Sequence, residues 1–452
     1  LEFTGKHVVV IGTKRSGLAA VELLRKQGAY VRAMDAQPLT PDEQARFDSL
    51  QVPVLRQEPE NLLDAGCDPD LIVVSPAVPY DLPMLGEARG RGVAVIGEVE
   101  LASYFLKGPV IGITGSNGKT TTTALTGHLL RESGIPCQVG GNIGTAITSL
   151  VESSADDQWN VIELSSFQLE TICRFRAAIA ACLNVTPDHL DRHHTFEEYA
   201  AAKARLFETQ QAGDFAVLNY DDVTCRRYAD QARAQAYWFS VSQAVPRGIS
   251  LKDGDLCFNG ERFLSRGQIK LRGLHNVENV MAACLMAHLV GAKLTGLGAA
   301  VASFPGVEHR IEFVRELNGV QYFNDSKATN VDAALKAIEA FPQNLWIILG
   351  GKDKGSDYSP LRAPLQKRAK AALLIGAEGA YPYAAAPLIR ETLSGSVPLI
   401  GCGTLDRAVR YAREHAEPGD TVLLAPACAS FDQFQNYEER GRVFKHLVSE
   451  LF

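Results

Sequence analysis

The chain has no C-x-x-C pair, no excess of basic charge, and no apolar run near the ~20 residues that a membrane-spanning helix requires. Each absence removes a class of function. The nine cysteines, scattered singly from Cys67 to Cys428, offer neither a disulfide framework nor a zinc site, and their odd number fits a reducing compartment. A net charge of -7, with no Lys/Arg run interleaved with aromatics, argues against nucleic acid as a partner. The opening LEFTGKHVVVIGT lacks a basic region leading into a long apolar core, so a cytoplasmic protein without membrane insertion is expected. What remains is ordinary globular material, 46% hydrophobic and 21% charged over 452 residues, enough for about three domains.

Short apolar runs ending in glycine or polar clusters alternate with helical patterns. HVVVIG leads to GLAAVELLRKQG and then AYVRAMD, the rhythm of β-α-β units in a parallel sheet. The rhythm restarts at KGPVIGITGSNGKTT and continues through WNVIELSS, AAIAACLNV and DFAVLN. HNVENVMAACLMAHLVGA reads as a long amphipathic helix closing this second part, and the Pro-Gly break in SFPGVEHR marks the next boundary. VQYFNDS, LWIILGG, AALLIGA and TVLLAPA follow. The pattern predicts an α/β chain of three domains, 1–97, 98–304 and 305–452. In open α/β sheets ligands gather beyond the carboxyl ends of the strands, which is where GTKRSG, TGSNGKTT, ELSS, NVTPDHLD, NDSKATN, GGKDKG and PACASFDQF fall.

One glycine is also missing. A phosphate loop reads Gly, four residues, Gly-Lys-Ser/Thr; TGSNGKTT supplies Gly118, Lys119 and Thr120, but Ile113 stands at the first glycine position. The order strand, loop, helix still suits an oxyanion, which successive backbone N–H groups and a helix N-terminus attract. Gly115 and Gly118 give the permissive backbone on either side of Ser116 and Asn117. Lys119 suits the β- and γ-phosphates of ATP, and Thr120 or Thr121 suits a magnesium ion. The bland alternative is a glycine-rich strand-to-helix turn.

Glu163 ends WNVIE, where a sheet delivers an acid beside that loop; a metal ligand and a solvated or capping carboxylate are both open readings. His189, in NVTPDHLD, also follows a strand, although a lone histidine is more often structural. In HHTFEEYAAAKARLFE, Thr195 and Glu198 form a capping box, and Phe196, Tyr199, Leu206 and Phe207 share one helical face. Lys203 sits within that apolar stripe. Either it snorkels to solvent, or burial holds its amine neutral and open to covalent modification.

VVVIGTKRSG has Lys14 where a dinucleotide fingerprint needs its second glycine, which disfavours a dinucleotide. Asp35 ends the next strand, at the place of a ribose-binding acid. Arg15 and Ser16 near a phosphate make a modified nucleotide site; a purely structural β-α-β unit is the alternative. Later in the chain, Asp325, Lys327 and Thr329, then Lys352 and Lys354, then Ser430 put cations and hydroxyls on neighbouring loops, as a small dicarboxylate would need, though single lysines are usually solvated surface charges. His309 and Arg310 suit ATP phosphates.

Together, TGSNGKTT, GGNIG, ELSSFQLE, NVTPDHLDRH, AAAK, HNVEN, HR and NDSKATN resemble the Mur ligase family, ATP-dependent amide-bond formers of bacterial cell-wall precursor synthesis. The likeness spans nearly the whole chain, and these family loops lack the same first glycine. It implies a Rossmann-like N-terminal domain, a central phosphate-loop ATPase-like parallel sheet and a Rossmann-like C-terminal domain. ELSSFQLE, NDSKATN and PACASFDQF, without the D-N-P-R motif of the member that adds a diamino acid, imply UDP-N-acetylmuramoyl-L-alanine and D-glutamate as substrates of a monomer. The activation it implies is an acyl phosphate formed from ATP.

By the same resemblance, Thr120 and Glu163 hold one of two Mg2+ ions, and His189 with a carbamylated Lys203 holds the other. Lys119, His189 and Lys203 are the catalytic set. Gly115, Ser116, Asn117, Gly118, Lys119, Thr120, Thr121, Asn279, Arg310 and Asp325 contact ATP. Arg15, Ser16, Asp35 and Ser75 fall at the uridine part; Asn142, Ser165 and Gln168 fall near the muramoyl part. Lys327, Thr329, Lys354, Ser430 and Phe431 match the D-glutamate pocket, with Lys352 the alternative to Lys354. Competing readings are a sibling ligase such as a folylpolyglutamate synthase, a phosphate-loop ATPase or kinase without ligation, and a non-catalytic nucleotide-binding regulator.

Overall fold

The computed structural model describes residues 2–63, 69–376 and 383–452. Cys67 lies outside them, and the other eight cysteines are free thiols. Parallel strands covered on both faces need continuous apolar runs. The sequence has them: every residue of Val110–Thr114 and of Leu345–Gly350 is buried.

Three sheets follow one another along the chain. The first, all parallel, has the order Val54–Arg56, Tyr30–Asp35, His7–Ile11, Leu71–Val74, Ala94–Gly97. The second places Val110–Thr114 between Trp159–Glu163 and Ile179–Cys182. Cys137–Gly141 lies beyond the former, and Phe215–Asn219, Gln235–Ser240 and Gly248–Lys252 lie in turn beyond the latter, all parallel. Two antiparallel strands, Asp255–Phe258 and Glu261–Ser265, then extend this sheet to its edge. The third sheet runs Glu312–Leu317, Val320–Asn324, Thr421–Leu424, Leu345–Gly350, Ala369–Ile375, Leu399–Gly403, with only its first pair antiparallel.

In the first two sheets the opening strand is internal, and later strands are added on both sides of it. Its carboxyl end is therefore a switch point, where diverging connections open a crevice. GTKRSG and TGSNGKTT begin at those two ends.

The chain divides into two compact units. One comprises Leu1–Gln268 and Glu278–Phe304 and carries the first two sheets; the other comprises Ile269–Val277 and Pro305–Phe452 and carries the third. The helix Leu274–Val290 departs from expectation. It is not amphipathic: every residue from Val280 to Ala287 is buried. Apart from His288 in its last turn, its polar residues, His275, Asn276, Glu278 and Asn279, fall in its first two turns, and the apolar stretch between them belongs in a core. Among the described residues no helix is long and apolar enough to cross a membrane.

Candidate active site

The loop after Val110–Thr114 needs glycine twice. Gly115 has φ +149° and Gly118 has φ +85°, a region that side chains disfavour, and a Cβ on Gly118 would lie 2.3 Å from Asn279 Oδ1. Gly118 precedes the helix Lys119–Glu132, so the loop ends on a helix N-terminus. The loop is held from behind. The Ser116 amide donates to Asn184 O (2.9 Å), the Asn117 amide to Asn184 Oδ1 (2.8 Å), and Asn184 Nδ2 returns a bond to Asn117 O (3.1 Å). Ser116 Oγ donates to Thr186 O (2.9 Å) and is hydrogen-bonded to Tyr199 OH (3.0 Å). Thr122 Oγ1 donates to Asn279 Oδ1 at 3.2 Å. Ile113, at the place of the missing glycine, is a fully buried strand residue paired with Glu163 on one side and Ala181 on the other.

Two lysines converge on one carbonyl. Lys119 Nζ donates to Gly115 O (2.8 Å) and Ser116 O (2.9 Å), while Lys203 Nζ donates to the same Gly115 O at 2.9 Å. Lys203 is 1% exposed and lies 4.5 Å over the Tyr199 ring, so it does not snorkel. Burial first, and the nearby Lys119 ammonium second, push its amine down to about 7. Near neutral pH a large fraction is then the free base, the form that adds to carbon dioxide. Its helix, Phe196–Glu208, starts with half of the expected capping box: Thr195 accepts from the Glu198 amide (3.1 Å), but the Thr195 amide turns to His193 O (2.6 Å) instead of the Glu198 carboxylate.

Glu163 reaches the loop because its strand pairs in register with Val110–Thr114. It is 1% exposed; Oε1 accepts from Asn142 Nδ2 (2.8 Å), and Oε2 is buried without a hydrogen-bond partner among the described residues. An unmatched, desolvated carboxylate oxygen is costly, which marks a place where a cation fits. Thr120 and Thr121 are buried hydroxyls at the start of the adjoining helix. Carboxylate and hydroxyl oxygens beside a phosphate-type loop are the donor set of magnesium. His189 is half exposed; its ring lies 4.9 Å from that of Phe167 and 6.5 Å from that of Tyr199, the same ring Lys203 covers.

The crevice of the first sheet is built differently. Asp35 Oδ2 accepts from the Thr13 amide (2.8 Å) and hydroxyl (2.6 Å), and Oδ1 from the Gln37 amide (2.9 Å). Burial alone would raise the Asp35 carboxyl, but these bonds outweigh it and hold the group below its ordinary value. Ser75 Oγ donates to Gly12 O (3.0 Å), and Arg15 Nη2 donates to Asn142 O (3.1 Å), with Ser16 half-buried beside it. A cavity of about 550 Å³ opens beside Asp35, Gln37, Gln44, Leu55 and Arg56. Ser165 and Gln168 engage each other: Ser165 Oγ accepts from the Gln168 amide (3.3 Å), and Gln168 Oε1 accepts from the Ser165 amide (3.0 Å).

In the second unit, Asp325 is buried, which pushes its carboxyl up to about 7 against the pull of Arg310 and Lys327. Lys327 Nζ lies 5.3 Å over the Tyr437 ring, and the half-buried Thr329 bonds back to Lys327 O through its amide (2.8 Å). Ser430 is buried, whereas Phe431 is 63% exposed. Lys352 is half-buried, 5.4 Å over the Tyr383 ring, and Lys354 is exposed. The fully buried Arg440 draws NDSKATN and PACASFDQF together, with Nε on Ser326 Oγ (3.0 Å) and Nη2 on Ser326 O (2.8 Å) and Cys428 O (3.2 Å). His309 Nδ1 accepts from Asn324 Nδ2 at 2.8 Å, and Lys445 bonds the flanking Glu308 and Glu312.

Sequence reasoning missed Asn184, Tyr199 as a loop partner, and Arg440. Asn184 had a signal, because it is the first polar residue after the strand Ile179–Cys182. Arg440 had none: in sequence it is one more charge on the helix Tyr437–Ser449.

A phosphate-type loop on which two lysines converge beside an orphaned carboxylate, on a largely parallel sheet followed by a second α/β unit, defines a class of nucleotide-handling α/β protein. Residues 113–287 match the Mur ligase middle domain, 309–428 the Mur ligase glutamate ligase domain, and 6–97 the Mur ligase MurD-like N-terminal domain. The chain belongs to the Mur ligase family. It is similar to the UDP-N-acetylmuramoylalanine–D-glutamate ligase of Solibacter usitatus, at 58% identity over 451 residues covering 100% of this chain and 99% of the relative. The ligase of the same name from Myxococcus xanthus is 44% identical, covering 100% of each chain. Among solved structures, the UDP-N-acetylmuramate–alanine ligase of Thermotoga maritima aligns with a TM-score of 0.62 at 19% identity, over 98% of this chain and 99% of that one. The MurF ligase of Thermotoga maritima in complex with ADP aligns with a TM-score of 0.62 at 17% identity, over 99% and 96%. At such identities these two speak to the fold alone.

Proposed function

We infer that the chain is an ATP-dependent ligase of peptidoglycan precursor synthesis that joins D-glutamate to UDP-N-acetylmuramoyl-L-alanine. Full-length similarity to relatives of that name supports the substrate choice. The observation that carries the chemistry is the convergence of Lys119 and the buried Lys203 on the Gly115 carbonyl, beside Glu163 with its unmatched oxygen.

A carboxylate is a poor electrophile, so the alanyl carboxylate must first be activated. One of its oxygens attacks the γ-phosphorus of ATP, ADP leaves, and an acyl phosphate forms. The amine of D-glutamate then attacks the acyl carbon and loses a proton, and inorganic phosphate departs with the oxygen that made the attack. Lys119, freed from its loop carbonyls, offsets charge on the transferring phosphoryl group, where preorganised charge is most effective. The amides of Gly115 to Gly118, with Thr121 and Asn279, orient ATP, and Arg310 and Asp325 are further ATP contacts.

Thr120 and Glu163 would hold one magnesium ion, and His189 with a carbamylated Lys203 the other. When bound, the ions supply positive charge that offsets the phosphates. Carbamylation turns the Lys203 amine into an anionic oxygen donor, which gives a buried lysine on an apolar helix face a use. Arg15, Ser16, Asp35 and Ser75 bind the uridine part at the first crevice, and Asn142, Ser165 and Gln168 the muramoyl part. Lys327, Thr329, Ser430, Phe431 and Lys354 or Lys352 receive the two carboxylates of D-glutamate. The protein acts as a cytoplasmic monomer divided into domains at 97/98 and 304/305.

Phosphate release measured across a panel of amines and acceptors tests this reading. Release should require D-glutamate and UDP-N-acetylmuramoyl-L-alanine together. Release driven by L-glutamate and a folate would instead make the chain a folylpolyglutamate synthase, and steady ATP turnover with no amine would make it an ATPase without ligation.

A further inference from the structure

The turn that carries His189 does not hold itself. His189 has φ +52° and His194 φ +62°, both unfavourable for side chains, and Leu190–His193 between them is a single helical turn. Such backbone persists only where its surroundings over-determine it. Here they do. His193 is 4% exposed; its Nε2 is hydrogen-bonded to Ser166 Oγ (2.9 Å) and its Nδ1 lies 3.3 Å from Glu170 Oε1. The His193 ring stacks on Phe167 at 5.5 Å and meets Tyr199 edge-on at 5.3 Å. Arg192 donates to Glu170 Oε2 (2.9 Å) and to Val78 O (3.0 Å), with its guanidinium 5.0 Å over the Phe167 ring. These contacts fasten the turn to the helix Ser166–Leu169, three residues beyond Glu163, and to the segment that follows the first sheet's strand Leu71–Val74.

Serine, histidine and glutamate in this order are also the parts of a nucleophile relay. Two observations exclude that use. Ser166 and His193 are only 3% and 4% exposed, so no electrophile reaches Oγ, and Glu170 already has its charge matched by Arg192. The group is a strut.

We propose that His193 and Arg192 are positioning residues that set His189 for its metal ion and tie that setting to the Val78 segment of the first sheet. The inference rests on the metal role of His189 given under Proposed function. It adds the residues that fix where the histidine stands.

The test compares full-length His193→Ala, His193→Gln and Ser166→Ala with His189→Ala as the reference. Three readouts are taken: binding of Mn2+ in the presence of ADP, followed by electron paramagnetic resonance; hydrogen exchange at residues 186–195; and kcat with the KM for ATP. His193→Ala should weaken one class of Mn2+ site about tenfold, the usual loss when a group orienting a ligand is removed. It should speed exchange of the His193 and His194 amides, which bond to His189 O and Leu190 O, and lower kcat while leaving the KM for ATP unchanged. His193→Gln, which keeps a hydrogen bond to Ser166, should recover most of the loss. Ser166→Ala should fall between, and serves if His193→Ala fails to fold. Unchanged Mn2+ binding and exchange in His193→Ala, with Mn2+ binding lost in His189→Ala, would overturn the strut. Faster exchange in His193→Ala with Mn2+ binding untouched in His189→Ala would overturn the metal role of His189 instead.

Discussion

The first unit contains two turns that look alike in sequence and work in opposite ways. GTKRSG and TGSNGKTT both follow an internal opening strand flanked by parallel neighbours, and both lead into a helix. The first is closed on itself. A Cβ on Gly17 would stand 1.7 Å from Gly12 O, Ser75 caps the same carbonyl, and Thr13 is bonded to Asp35. Its lysine turns away, Lys14 pairing with Glu43 at 2.6 Å on the surface. The second turn keeps its lysines inside. Lys119 and Lys203 share the Gly115 carbonyl, and Glu163 waits with one unmatched oxygen. Equal secondary structure thus gives a tightly packed turn whose lysine points to the surface in one case, and in the other a turn that keeps two lysines and a carboxylate inside. The difference lies in where the cations point, which a glycine pattern does not encode.

Three experiments bear on that contrast. The largest effect is expected at the charged turn: Lys119→Ala should lower kcat about 10³-fold, the scale seen when a preorganised transition-state partner is removed, with little change in thermal stability. A loss below tenfold in phosphate release would make the two turns functionally alike. Next is the stability cost of Lys203. The folded chain holds this amine near 7 against 10.5 for an ordinary lysine, so between those values the unfolded chain binds more protons and stability rises with pH. Below pH 7 the buried charge costs its full amount. Lys203→Met should therefore be more stable than the parent, most at pH 6 to 7, with the gain shrinking toward pH 9 in urea unfolding free of carbon dioxide. A pH-independent gain would contradict a depressed amine. The smallest effect belongs to the packed turn. Gly17→Ala should cost roughly 1–3 kcal/mol, as overpacking does, and raise the KM for the UDP substrate while sparing that for ATP.

Much of this was legible in the sequence, for a physical reason. Strands buried on both faces must be continuous apolar runs, so VIGIT, WNVIE and LWIILG stand out, and the polar clusters at their carboxyl ends mark the crevices. GISLK and the antiparallel extension beyond it, DLCF and ERFLS, did not stand out, because these strands are short, half exposed and mixed in polarity. The anomaly of Lys203 was visible as a cation on an apolar stripe; that it meets Lys119 on one carbonyl was not, since the contact spans 88 residues. Arg440 lies still further from legibility, as its partner Ser326 is 114 residues away.

The central claim is that the charged turn spends ATP on activating a carboxylate, and oxygen tracing tests it most directly. UDP-N-acetylmuramoyl-L-alanine labelled with ¹⁸O in both carboxylate oxygens is turned over with ATP and D-glutamate, and the released phosphate is analysed by mass spectrometry. One ¹⁸O per phosphate is predicted, because the carboxylate oxygen that attacks the γ-phosphorus leaves with it. Phosphate free of label, with its new oxygen drawn from water, would contradict the account.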